Sequence, residues 1–287
     1  MSWFIKVLLL SSIAVMALFA IAMVITITFG KSATTEKAQL TIVILQNVLI
    51  FIVPVLLLAM VNHSIEKWPI SKTMWMTKGP SFKSILLVFL VYIFALPAMN
   101  YIVDWNQGLH LPQALGVLEK IMRDMEDVAQ EITTKMITTQ SWGVMILLVL
   151  LVGVLTGMGE EIFFRSGLLG TMRHGGVNQH VAIWTAAFIF SAIHMQFFGF
   201  VPRLLLGAWF GYVMLWSGEV WSPIIAHALN NSMVVIFTFL EKNHYITGNF
   251  IDTLGIPASG ERPWLAVASA LATAAVIWII MSRKERT

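Results

Sequence analysis

Apolar residues run along this chain in blocks about as long as a bilayer is thick, with polar residues between the blocks. Ile5 to Phe29, Leu40 to Val61 and Ser84 to Ile102 are the first three. Further blocks cover Trp142–Met158, Val181–Phe198, Arg203–Trp216, Pro223–Leu240 and Pro263–Met281. Runs of about 18 or more apolar residues read as membrane-spanning helices. The pattern therefore predicts an all-α, polytopic transmembrane bundle of about eight spans, folded as a single membrane domain over residues 1–287. Ala20-Ile21-Ala22 resembles a signal-peptide cleavage site, but the first block is longer than a signal core and reads as a retained span. Gln46, Asn47 and Pro54 inside the second block predict a helix that faces other helices, and Pro97 interrupts the third. Gly207 and Gly211, one turn apart, permit a close helix approach.

Leu111 to Gln140 has a different pattern. Leu115, Leu118, Ile121, Met122, Met125 and Val128 recur at helical spacing, among the acids Glu119, Asp124, Glu126, Asp127 and Glu131. This is an amphipathic helix between spans three and four, outside the membrane core, packed on the bundle or lying at the interface.

Composition agrees with the pattern. Hydrophobic residues make up 58% of the 287 and charged residues only 11%, against about a quarter charged in soluble domains. Much of the surface must face the lipid bilayer. The net charge of +3 does not imply nucleic acid, because the basic residues lie between spans and near the C-terminus, as Lys67, Lys72, Lys78, Lys83, Arg283, Lys284 and Arg286. The positive-inside rule makes those segments cytoplasmic, and eight spans then put both termini there. The absence of cysteine excludes disulfides, thiolate catalysis and cysteine-held zinc.

Ionisable residues within apolar blocks are costly and point to function. In Gly159-Glu160-Glu161-Ile162-Phe163-Phe164-Arg165, which follows the fourth block, Glu161 and Arg165 are four apart on one helical face. Arg165 can neutralise Glu161 through a bidentate contact, which reads as structural support. Glu160 points elsewhere without an evident partner, as a general base or acid requires. His194, in Phe190-Ser191-Ala192-Ile193-His194, lies inside the fifth block. Alone it reads as an interhelical hydrogen-bonder; beside Glu160 it can share a water. Ser222 and Pro223 predict the start of the helix that carries His227 and Asn231. These two are four apart and offer paired donors for an oxyanion, or polar contacts between helices. Asn230 faces another direction and reads as packing or as a contact that supports a neighbouring site residue. Glu160, His194 and His227 also make a candidate zinc set, although no HExxH signals one; no cofactor is expected.

The three clusters, read as EExxxR, FxxxH and HxxxN in this order, resemble the type II CAAX prenyl endopeptidase and bacteriocin-processing family, also called the Abi family. The resemblance covers roughly residues 140–240, the expected catalytic core. It implies an eight-helix bundle around a conical cavity open to membrane and cytoplasm. It implies that Glu160 and His194 activate a water, that His227 and Asn231 stabilise the oxyanion, and that Glu161 and Arg165 hold the helix. The family has been described both as metalloproteases and as metal-independent glutamate proteases, and the second description fits these residues. The activity implied is intramembrane endopeptidase, acting on a peptide or protein at the membrane, prenylated or not, with the bacterial inner membrane as the expected location. The competing readings are a non-catalytic scaffold or bacteriocin-immunity protein, and a transporter. A transporter would string polar groups across the membrane and often carry an internal repeat, and neither is visible.

Overall fold

A computed structural model describes residues 1–30, 35–246 and 253–282. The basic Arg283, Lys284 and Arg286 lie outside the described residues. The described residues are helical, with no strand among them. The principal helices are α1 (Trp3–Phe29), α2 (Lys37–Glu66), α3 (Phe82–Gln107), α4 (Gly116–Ile137), α5 (Trp142–His174), α6 (Gln179–Ala192), α7 (Phe200–Ser217), α8 (Trp221–Lys242) and α9 (Trp264–Ser282).

Local chemistry sets many of their ends. Ser2, Ser81 and Ser141 accept a backbone N–H from the first turns of α1, α3 and α5, and Asn178 accepts two from α6. Such caps satisfy donors that a helix start leaves without partners. Lys67 and Gly218 close α2 and α7 in the left-handed conformation.

Six helices are long and apolar enough to cross a membrane, namely α1, α2, α3, α5, α8 and α7 with the turn before it. This makes the chain an integral membrane protein. Two more apolar helices, Gln179–Ala192 and Trp264–Ile279, are shorter. The expected count of eight full spans is thus not met by helix length. Only 17% of the apolar stretch of α1 and of α3 is buried, against 44% for α7 and 39% for α8. The first pair offers its surface to lipid, and the second forms part of the interior.

Four boundaries differ from the sequence expectation, each for a physical reason. The fourth span does not stop before the paired glutamates. α5 runs on through them to His174, 33 residues in all, roughly 50 Å at the helical rise. Its backbone passes into π-helical register at Val149–Leu155 and again at Ile162–Leu169, so the acidic pair stands between two wide turns. The fifth span ends early, at Ala192. His194 lies beyond the helix, in a turn where Met195 takes a positive φ of 54°. Pro97 does not interrupt α3. Ser269 of α9 accepts from the Ala98 N–H and donates to the Phe94 carbonyl, rejoining backbone groups around the proline. The start of α8 is held not by a Ser222 cap but by buried Glu219, whose carboxylate accepts from both the backbone N–H and the hydroxyl of Ser222.

Glycines set two close crossings. A Cβ on Gly157 would sit 2.8 Å from the Ala228 nitrogen, so the backbones of α5 and α8 meet there. Gly207 and Gly211 lie against Ala187 and Ile183 of α6, as their spacing permits.

The amphipathic helix, α4, turns its apolar stripe outward. Leu115 just before it and Leu118, Ile121, Met125 and Val128 within it are all exposed. Its inner edge is polar. Arg123 stacks over the Phe198 ring at 4.0 Å, and Glu126 accepts the Phe198 N–H at 3.2 Å.

Candidate active site

The close approach of α5 and α8 at Gly157 places the acidic pair of one helix beside the histidine of the other. His227 Nδ1 lies 2.9 Å from Glu161 Oε1, and His227 Nε2 lies 3.7 Å from Glu160 Oε2. All three side chains are buried. Arg165 Nε lies 2.8 Å from the other Glu161 oxygen, an ion pair whose angle falls outside hydrogen-bond geometry. The bidentate contact expected between Glu161 and Arg165 does not form, because Oε1 is committed to His227. Arg165 Nη2 instead donates to the Gly207 carbonyl at 3.2 Å, which ties α5 to α7.

The two carboxylates therefore differ. Glu161 is fully buried, with one oxygen on an imidazole and the other beside a guanidinium. Among the described residues Glu160, which keeps slight exposure, forms no hydrogen bond, and its ion-pair contact is His227 Nε2 at 3.7 Å. A carboxylate without a fixed partner at the edge of a dry site remains available for proton exchange.

Aromatic rings hold the imidazoles. Phe210 stacks on His227 at 4.9 Å. Phe190 meets His227 edge-on at 5.8 Å and His194 at 5.2 Å, and it lies under the Arg165 cation at 5.2 Å. His194 Nδ1 is 2.8 Å from the Phe190 carbonyl. If Nδ1 donates there, Nε2 is left as an acceptor. No hydrogen bond or ion pair joins His194 to Glu160 among the described residues. Phe190, which meets both imidazole rings, and His227 lie between the two.

Asn231 Nδ2 donates to the Val152 carbonyl of α5 at 3.4 Å, a long bond, and Asn230 Nδ2 donates to Asn231 Oδ1 at 3.3 Å. Asn230 thus orients its neighbour as well as packing. No group of three His, Asp, Glu or Cys side chains among the described residues is spaced to hold a metal ion, so Glu160, His194 and His227 do not form a ready ligand set. A cavity lined by Lys6, Asn62, Glu66, Trp68, Ser166 and His174 lies toward the His174 end of α5 and includes none of these residues.

The sequence reading missed the groups that hold the His194 turn. Asn106 of α3 accepts the Val201 N–H at 2.8 Å and donates to the Phe197 carbonyl at 3.3 Å. Glu126 holds Phe198, and Arg203 holds Gln196 through two bonds. Arg203 had a signal: like Glu160, it is an ionisable residue at the edge of an apolar block.

Residues 141–233 match the family model described as Rce1-like, Type II CAAX prenyl endopeptidase Rce1-like. The matched stretch covers about a third of the chain and contains all three clusters. No curated protein and no solved structure matches the chain.

Proposed function

We propose that this protein is an intramembrane endopeptidase in which Glu160 is the general base. One observation carries the reading. Of two adjacent buried carboxylates, Glu161 is tied to His227 and Arg165, while Glu160 forms no hydrogen bond among the described residues and faces the same imidazole. The similarity of residues 141–233 to a CAAX prenyl endopeptidase family agrees with it.

The reaction follows from the roles these groups can take. A water held between Glu160 and His194 Nε2 gives its proton to Glu160, and its oxygen attacks the peptide carbonyl carbon. The carbonyl electrons become an oxyanion, which His227 Nε2 and Asn231 Nδ2 stabilise as hydrogen-bond donors. Glu160 then passes its proton to the amide nitrogen as the C–N bond breaks, releasing an acid and an amine. Glu161 and Arg165 act through position, fixing the His227 ring and the angle of α5. No metal is used in any step. The substrate is a peptide presented at the membrane, prenylated or unmodified.

The test is hydrolysis by purified protein in lipid vesicles, offered short peptides with and without a farnesylated cysteine. Glu160→Gln should lower turnover by about 100-fold or more. His194→Ala should also lower it. Undiminished cleavage in both variants would remove this site from the mechanism. A cellular phenotype that survives Glu160→Gln would favour a scaffold or immunity role.

A further inference from the structure

The turn that carries His194 is packed against a cation that forms no ion pair among the described residues. Arg203 stands in the second turn of α7 and is partly buried. Its Nη1 donates to the Gln196 carbonyl at 3.2 Å and its Nη2 to Gln196 Oε1 at 3.0 Å. Both acceptors are neutral. No ion pair joins Arg203 to a carboxylate among the described residues, whereas Arg165 and Arg123 are paired with Glu161 and Glu119. Glu160, Glu126 and His194 all lie within reach of its field.

The guanidinium is also held in place. A Cβ on Gly199 would sit 2.4 Å from Nη2, so the turn that bears His194 is packed directly on the group. Arginine has five N–H donors, and Gln196 takes one from each Nη. The rest can meet a carboxylate, the anion whose two oxygens match the guanidinium fork. A partly desolvated cation gains most from an anion delivered by a ligand, because water no longer competes fully for it. Peptides carry such an anion at the C-terminus or on an acidic side chain.

We propose that Arg203 is a specificity-determining residue that receives a carboxylate of the peptide substrate, lying a short distance along the chain from the bond that Glu160 addresses. The proposal rests on the endopeptidase reading above.

The best-cleaved peptide of the panel above would be made in three forms: with a free C-terminal carboxylate, as its carboxamide, and as a carboxamide with one aspartate after the scissile bond. Wild-type protein in vesicles should show a KM about 10- to 100-fold lower for at least one carboxylate form than for the plain carboxamide. The form preferred identifies the source of the anion. Arg203→Gln should collapse that ratio toward one, whatever it does to the overall rate, and Arg203→Lys should restore part of it. Equal KM for all three forms in the wild type overturns the proposal while leaving the endopeptidase reading intact, and needs no folded variant. A ratio that persists in folded Arg203→Gln also overturns it. Failure of the folded wild type to cleave any peptide overturns both readings.

Discussion

His227 and Glu161 are separated by 66 positions in the chain and by 2.9 Å in space. The carboxylate that holds the histidine on one oxygen meets Arg165 with the other. One acid thus orients the imidazole and neutralises the buried guanidinium, and its neighbour Glu160 meets the same imidazole at 3.7 Å.

Removing Glu161 should therefore disturb stability and the site together. Glu161→Gln leaves Arg165 buried without its counter-ion, at a cost of about 3–5 kcal/mol. Glu161→Gln combined with Arg165→Met should recover part of that loss, because no buried charge remains. Unfolding in detergent, followed for the two single variants and the double, measures the coupling. Additive losses would show that the pair does not act as a unit.

The crossing at Gly157 should be intolerant of volume. Gly157→Ala places a methyl 2.8 Å from the Ala228 nitrogen, and overpacking of this kind costs about 1–3 kcal/mol. Because the crossing sets the distance from Glu160 and Glu161 to His227, turnover should fall further than thermal stability alone predicts. A fully active Gly157→Val would show that this approach is not required.

The polar edge of α4 should control the turn that carries His194. Glu126→Ala removes the acceptor for the Phe198 N–H and should lower kcat by about tenfold, an interaction worth roughly 1.4 kcal/mol. Glu126→Gln retains an acceptor oxygen and should restore most of the rate. Hydrogen exchange at residues 194–200 should rise in the alanine variant alone. Equal exchange in wild type and Glu126→Ala would detach α4 from the site.

Acid should loosen the start of α4. The Leu111 N–H, Arg123 and His110 hold the Glu119 carboxyl down to about 2, from the usual 4.5. A lowered carboxylate stabilises the fold above its unfolded value, and the contribution is lost as pH falls through the folded one. The clasp should accordingly be complete above about 4.5 and released toward about 2. Protection of the Leu111 amide against hydrogen exchange, followed across that range and in Glu119→Gln, reads it directly.

A chelator should leave peptide hydrolysis unchanged, since no described group of three ligands is spaced for a metal. Loss of activity with chelator and its return with added zinc would reject the metal-free reaction.

Hydrophobic periodicity and the spacing of a few ionisable residues determined much about this protein on their own. Apolar blocks of bilayer length could only be membrane helices, because backbone polar groups in lipid must be satisfied within the segment. The four-residue step from Glu161 to Arg165 reported a shared face, since that spacing is a property of one helix. Contacts between helices carry no such local signal. Only the tertiary structure decided that Glu161 would prefer His227 to a bidentate contact with Arg165, that His194 would stand on a turn, and that Arg203 would pack against that turn. Those outcomes depend on where α5, α7 and α8 cross, which glycine contacts and side-chain packing set jointly over residues far apart in the chain.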